Sequence, residues 1–93
     1  MKIRFTDDFY YLLNQQLEYI AKDKPLAARK FKKDLIIAIK KDLNSPFNFK
    51  KSIYFNDNQI RDYIFKGYTI VYKIQIDNNS VEIFEFIKYM EKL

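Results

Sequence analysis

The sequence has no cysteine, no histidine and no tryptophan, and its 93 residues include one glycine and two prolines. The lack of cysteine excludes disulfides and thiolate zinc sites, and the lack of histidine removes the commonest acid–base catalyst near neutral pH. The scarcity of glycine and proline argues against long flexible linkers. A chain of this length has room for one core, so we predict a single domain over residues 1–93; nothing in the composition indicates a metal or a cofactor.

Long apolar runs are also missing. No stretch approaches the ~20 apolar residues of a membrane-spanning helix. The first five residues (MKIRF) alternate charged and apolar side chains, unlike a signal peptide. We therefore expect a soluble protein without a membrane partner, and the absence of cysteine fits a cytoplasmic location.

Aromatic and basic side chains are abundant instead. Eight Tyr and nine Phe contribute to an apolar fraction of 48%, which is enough for a compact core. The net charge is +5, and the excess is local, because residues 21–51 hold ten basic and three acidic side chains, a net of +7. Such a charge favours an anionic partner, whether nucleic acid, an acidic protein segment or a membrane surface. A lysine-rich face that is merely solvated would give the same composition.

A strand and a helix are predicted at the start of the chain. Residues 2–5 alternate as a short strand does. Thr6 then provides a helix cap, and Asp7 and Asp8 place negative charge in the first turn. This helix should end near Lys22. Its buried arc, with one polar member, consists of Phe9, Leu12, Leu13, Gln16, Leu17 and Ile20.

A second helix is predicted to follow after a short break, which implies an αα-hairpin. Asp23 can cap it, Pro25 suits its first turn, and it should run to about Leu43. Its apolar arc consists of Ala27, Ala28, Phe31, Leu35, Ala38 and Ile39. The opposite arc is basic and consists of Arg29, Lys30, Lys33, Lys40 and Lys41. Ile37 falls among these basic residues, where it is either a lone exposed apolar side chain or a contact point for a partner.

A long connection separates the helices from the rest of the chain. Pro46 stops the second helix, because the residue before a proline avoids the helical region. Residues 47–58 show no clear period apart from a possible short strand at 52–55, and they include the basic pair Lys50 and Lys51. Loops of this length often carry function.

Three strands are predicted in the last third of the chain. Period-two alternation places them at residues 60–65, 68–76 and 81–87, and the short turns between them indicate an antiparallel meander. The last strand is apolar on both faces and should be central or covered on its second face. Two of its residues are expected opposite the other three: Phe84 and Phe86 against Val81, Ile83 and Ile87. The whole order, β-α-α-β-β-β, predicts a two-layer α+β domain with the helices across one face of the sheet.

This order of elements resembles the RelE/ParE toxin superfamily of bacterial type II toxin–antitoxin systems. Residues 23–28 (DKPLAA) resemble the segment between the helices of ParE-like members, where a proline and a pair of alanines open the second helix. Residues 60–64 (IRDYI) and 67–72 (GYTIVY) resemble the paired strands of the family with their Gly-Tyr start, and residues 81–84 (VEIF) resemble its last strand. The similarity covers almost the whole chain, and the order and spacing of the motifs make it specific.

The resemblance implies a cognate antitoxin as a partner. Toxins of this family are neutralised by a small protein that wraps their surface, usually through an extended or helical acidic segment. The basic side of the second helix and an apolar groove would suit such a ligand. The candidates for antitoxin binding are Arg29, Lys33, Ile37, Lys40 and Lys41.

The resemblance leaves two mechanisms open. RelE-like members cleave mRNA on the ribosome, whereas ParE-like members poison DNA gyrase by binding it. RNA cleavage needs a general base, cations for the phosphorane charge and a general acid. Thr69 stands where RelE-like enzymes usually carry a catalytic arginine, and Met90 stands roughly where their C-terminal arginine would lie. A substitute ribonuclease set would have to come from Lys50, Lys51, Arg61, Lys88 and Tyr89.

The Asp-Lys-Pro break and the missing C-terminal arginine favour the ParE-like branch, with gyrase inferred as the target by analogy. The candidates for target binding are Arg61, Tyr63, Phe65 and Lys88. The first three share a strand face, where they could form an aromatic–basic surface that stacks on bases. The alternatives are a ribosome-dependent mRNA endonuclease and a non-toxic basic module that binds RNA or protein.

Overall fold

Two helices pack on one face of a four-stranded sheet. The computed structural model describes residues 1–88, and its elements in chain order are β1 (Lys2–Phe5), α1 (Asp7–Ala21), α2 (Pro25–Asp42), β2 (Ile60–Phe65), β3 (Tyr68–Gln75) and β4 (Ser80–Lys88). A 3-10 turn at Pro46–Asn48 lies in the connection between α2 and β2. The predicted order and the two-layer α+β architecture are confirmed.

The sheet has the strand order β1-β4-β3-β2 and is mixed. β2, β3 and β4 form the predicted antiparallel meander. β1 joins β4 in parallel, with Ile3 beside Val81, so the sheet contains one pair that the meander alone does not predict. Two parallel strands need a long connection between them, and α1 and α2 lie within the connection from β1 to β4. β1 and β2 are therefore the edge strands.

The two helices begin differently. In α1, Thr6 is the N-cap and its Oγ1 accepts a hydrogen bond from the backbone N–H of Phe9 at 3.1 Å, as predicted. In α2, the predicted cap at Asp23 is wrong, because Lys24 occupies the N-cap position and makes no side-chain cap. Pro25 is the first helical residue, and its missing N–H leaves one donor fewer to satisfy there.

The core lies between the helices and the sheet. Helix periodicity predicted its helical members well, except that Ala27 lies at the margin of the apolar arc and is exposed. Tyr68 and Phe86 stack at 5.0 Å between ring centroids on the sheet side of this core. The largest fully buried side chains are Tyr72, Phe9, Leu13, Leu35, Ile39, Leu43, Ile70, Ile74 and Ile83.

A β-bulge in β4 changes which residues share a face. Tyr72 of β3 pairs with Ile83, but its neighbour Val71 pairs with Glu85, so Phe84 is an extra residue in β4. The bulge puts Phe86 on the helix-facing side together with Ile83 in the core. The predicted grouping of Phe84 with Phe86 is therefore wrong, because simple alternation does not survive an inserted residue.

The connection from α2 to β2 first packs on the helix-facing side of β2, where Phe49 contacts Tyr63, and then crosses to the far face of the sheet, which we define as the face opposite the helices. The predicted strand at residues 52–55 is wrong, since the only described pairing here is an isolated bridge between Lys51 and Arg61. Beyond it, the ring of Phe55 packs against Phe84 at 5.4 Å between centroids. β4 is thus both central and covered on its second face, as predicted.

Candidate functional site

The outward side of α2 is basic along most of its length. All five antitoxin-binding candidates are exposed: Arg29, Lys33, Ile37, Lys40 and Lys41. Steps of four residues lead from Arg29 to Lys33 and Ile37, and Lys40 and Lys41 follow Ile37 by three and four, which places all five on one side of the helix. Among residues 1–88, the only basic residue of α2 in an ion pair is Lys30, whose amine lies 3.1 Å from Asp34. Its hydrogen bond lowers the pKa of Asp34. We call this surface the α2 basic face; its binding role stays a prediction.

An apolar groove of about 380 Å³ lies between α1 and α2, next to the α2 basic face. Leu17 and Ala21 contribute to it from α1, and Pro25 and Ala28 from α2. Arg29 lines the same groove and also belongs to the basic face, so the two features are continuous. An amphipathic segment could place its apolar side in the groove and its acidic side against the α2 basic face.

Arg61 faces the α2–β2 connection and holds it in place. Its Nη1 donates to the carbonyl of Phe49 at 2.7 Å, and its Nε donates to the carbonyl of Asn58 at 3.1 Å. The guanidinium also lies 5.7 Å from the centroid of the Phe47 ring. These contacts engage the guanidinium, and through them Arg61 attaches two parts of the connection, at Phe49 and at Asn58, to β2.

Tyr63 and Phe65 do not form the predicted aromatic–basic surface with Arg61. Tyr63 is only 5% exposed, and its ring packs edge-on against Phe49 at 5.2 Å. Phe65 packs against Phe31 of α2 at 5.8 Å. The face that these residues share is the helix-facing side of the sheet, so their rings contribute to the core instead of offering a platform for bases.

Two buried tyrosine hydroxyls anchor the chain that follows α2. Tyr72 donates to the carbonyl of Pro46, and Tyr63 donates to the carboxylate of Asp42. Burial raises the pKa of Tyr72. Burial, and secondarily the hydrogen bond to Asp42, raises the pKa of Tyr63. Both hydroxyls therefore remain protonated donors at neutral pH, and neither is poised as an acid or a base.

The residues proposed for a substitute ribonuclease are dispersed. Lys50 and Lys51 are exposed beside the edge of β2. Lys88 lies two strands away at the end of β4, paired with Tyr68, and its amine lies 5.4 Å from the Tyr19 ring. The Cα atoms of Arg61 and Lys88 are separated by roughly 16 Å according to strand geometry, and their charged groups point to different neighbours. Tyr89 lies outside the described residues.

A groove that the sequence did not predict lies on the far face, beside the edge of β2. Its volume is about 530 Å³, and its lining includes Lys50, Lys51, Ile53, Asp62, Ile64 and Thr69. Ile53 is 83% exposed and Ile64 is 64% exposed. We call it the Ile64 groove. The visible signal in the sequence was only an isoleucine in a loop and another in a strand, and neither shows exposure without the fold.

Residues 1–88 contain neither a cluster suited to a metal ion nor a helix suited to a membrane. No three acidic side chains among them come together in a group suited to hold a metal ion. No helix of this part of the chain is long and apolar enough to cross a membrane.

Comparison with known proteins gives one family and a shared fold. The family described as the ParE toxin of type II toxin–antitoxin systems, parDE, matches residues 3–92. A solved structure described as the chromosomal ParDE TA system from P. aeruginosa is similar in fold, with a TM-score of 0.77, 13% sequence identity and 97% coverage of each chain. No curated protein matches the sequence significantly.

Proposed function

Because this chain belongs to the ParE toxin family of type II toxin–antitoxin systems, we propose that it stops growth by binding a protein target and is neutralised by a cognate antitoxin. DNA gyrase is the proposed target by family analogy, and the cytoplasm is the proposed site of action. The family match over residues 3–92 supports the toxin assignment.

The observation that carries the choice of mechanism is the position of Arg61. Its guanidinium is held by backbone carbonyls of the connection, and Lys88 is directed towards Tyr19 on α1. Cleavage of RNA needs a base, an acid and cations around one phosphate. The described residues do not assemble such a group, which supports binding over catalysis.

The α2 basic face supports neutralisation by an acidic partner. Arg29, Lys33 and Lys40 are exposed, and the adjoining groove between the helices has apolar residues from both helices in its lining, beside Glu18 and Lys32. An acidic amphipathic segment would bury its apolar side in this groove and place carboxylates beside the cations, which also steer its approach. We therefore propose this face for the antitoxin.

Induction of the gene in a bacterial host tests the function. The proposal expects growth to stop with filamentation and a DNA damage response while mRNA remains intact. Purified protein should inhibit supercoiling by purified DNA gyrase. A Phe9→Asp chain is the control for the burden of expression, because a charge at this fully buried position prevents folding.

Other results would contradict parts of the proposal. Early loss of translation with cleaved mRNA would establish the RelE-like mechanism. Unimpaired growth at full expression would favour the non-toxic binding module. Co-expression with the product of the neighbouring reading frame should restore growth, and an isolated gene without such a neighbour would count against an antitoxin.

A further inference from the structure

We propose that the Ile64 groove binds an extended acidic–apolar segment of the toxin's protein target, an inference that rests on the proposed protein-binding mechanism. An open backbone edge, an apolar floor and two lysines meet at this groove. The three features are independent of one another.

The backbone of β2 is open beside Ile64. The outward groups of Ile60 and Asp62 are occupied, since Ser52 N–H donates to the Ile60 carbonyl at 2.8 Å and Asp62 N–H donates to the Lys50 carbonyl at 3.1 Å. Antiparallel strands alternate their outward positions with a period of two, so Ile64 also points its N–H and C=O away from β3. Within residues 1–88, neither group of Ile64 has a hydrogen-bond partner. An extended segment can add there as a short strand.

The floor of the groove is apolar and exposed. Ile53 and Ile64 line it together with Thr69 of β3, which is 7% exposed. The connection also exposes three aromatic residues that lie outside the groove lining: Phe47, Tyr54 and Phe55. Exposed apolar side chains that line a groove mark a candidate interaction site, and aromatic side chains are typical of protein interfaces. One apolar side chain of a bound segment would pack against Ile53 and Ile64.

The charges around the groove define the rest of the ligand. Lys50 and Lys51 are exposed at the rim and suit carboxylates on either side of the apolar anchor. Asp62 lines the groove from β2, and its carboxylate accepts a hydrogen bond from Ile53 N–H at 3.1 Å. This negative charge and the apolar floor disfavour a phosphate backbone, so the ligand is a protein segment and not a nucleic acid.

The position of the groove assigns it to the target. It lies on the far face of the sheet, whereas the α2 basic face points away from the sheet on the other side. A toxin needs two kinds of partner, and these two surfaces can be altered separately. Variants in the groove should therefore lose target binding without losing the antitoxin.

Purified DNA gyrase is the binding probe. We expect Ile64→Asp to weaken its affinity for the toxin roughly 30-fold, the loss typical of a buried interface anchor. Ile76→Asp is the matched control, because Ile76 is 58% exposed in the turn that follows β3, outside the groove. The double variant Lys50→Glu/Lys51→Glu should also lose affinity. Thermal unfolding checks that each variant is folded.

A second pair of variants tests strand addition itself. Ile64→Pro removes only an outward N–H, which an edge strand tolerates, whereas Ile64→Val keeps it. The proline variant should bind weakly and the valine variant normally. Equal binding by all folded variants would overturn the groove while leaving the gyrase mechanism intact. A loss of binding to the neighbouring gene's product or to single-stranded RNA, with gyrase binding unchanged, would assign another occupant and overturn it too.

Growth arrest in the bacterial host tests the Ile64 groove even if DNA gyrase is not the target. If the unaltered chain arrests growth but does not bind gyrase, the same variants are compared for arrest. Relief by Ile64→Asp but not by Ile76→Asp would support the groove with a different protein target. Equal arrest by both would reject the groove, and no arrest by the unaltered chain would reject the proposed function as well.

Discussion

At the scale of single residues, the sequence predicted which side chains share a face but not what packs against that face. Arg61 and Tyr63 share a strand face, as alternation predicted, but that face is covered by the helices and by the α2–β2 connection. Whether a polar group on a strand is solvated depends on what packs over it. Here the α2–β2 connection covers the face, and its path cannot be predicted from the sequence because the connection has no regular hydrophobic period.

One prediction at this scale concerns alkaline pH. Tyr72 is fully buried, and burial raises its pKa above the ordinary 10.0. The folded state therefore holds the phenol proton more tightly, so this stabilisation is complete below about pH 10 and is lost as pH rises further. Each such tyrosine should lower the free energy of unfolding by up to ~1.4 kcal/mol per pH unit above that point.

Urea unfolding of the unaltered chain and of Tyr72→Phe, from about pH 8 to about pH 11, measures this effect. The variant should lose about 1 kcal/mol at neutral pH, because the Pro46 carbonyl loses its donor. It should then decline less steeply with pH. Parallel declines in the two proteins would contradict the assignment.

At the scale of elements, the helices and strands with a regular hydrophobic period were predicted correctly, whereas the inserted residue in β4 was not. Both helices, the hairpin turn at Lys66 and Gly67, and the three strands of the meander were predicted from spacing and turn chemistry. Both turn residues have positive φ, 48° and 83°, which fits the two-residue turn that the sequence indicated. The bulge at Phe84 was missed because one inserted residue leaves the composition of a strand unchanged.

The α2 basic face gives a prediction for one element. Lys33→Glu/Lys40→Glu should weaken binding of the antitoxin, because two attractive charge contacts become repulsive. Stability should change by ~0.5 kcal/mol or less per site, since both side chains are exposed. Binding is measured with the purified product of the neighbouring gene. Lys2→Glu/Arg4→Glu on β1 is the control of equal net charge, and equal weakening by both pairs would mean that only net charge matters.

At the scale of the whole molecule, the sequence predicted the layers but not how they are joined. The parallel pairing of β1 with β4 links residues at opposite ends of the described chain, with Lys2 beside Ser80. No local pattern carries such a contact. The Ile64 groove was missed for the same reason, because it forms only where the connection, β2 and β3 meet.

The core gives the stability prediction. Leu35→Ala should reduce the free energy of unfolding by ~2–5 kcal/mol, because Leu35 is fully buried between the helices and the sheet. Ile37→Ala, two residues along the same helix and 54% exposed, should cost ~0.5 kcal/mol or less. Chemical denaturation of both variants measures the difference. Similar losses would mean that α2 is rotated from the orientation described.

The central place of β4 has a consequence for synthesis of the protein. β1 is made first, but its one strand partner among residues 1–88 is β4, which begins at Ser80. A nascent chain that has only reached β3 therefore lacks two of the three strand pairings of the sheet, and α1 lacks the strand against which it packs. Contacts between such distant residues also form slowly. The toxin would thus become active only late in its own translation, so an antitoxin made earlier would already be present to bind it.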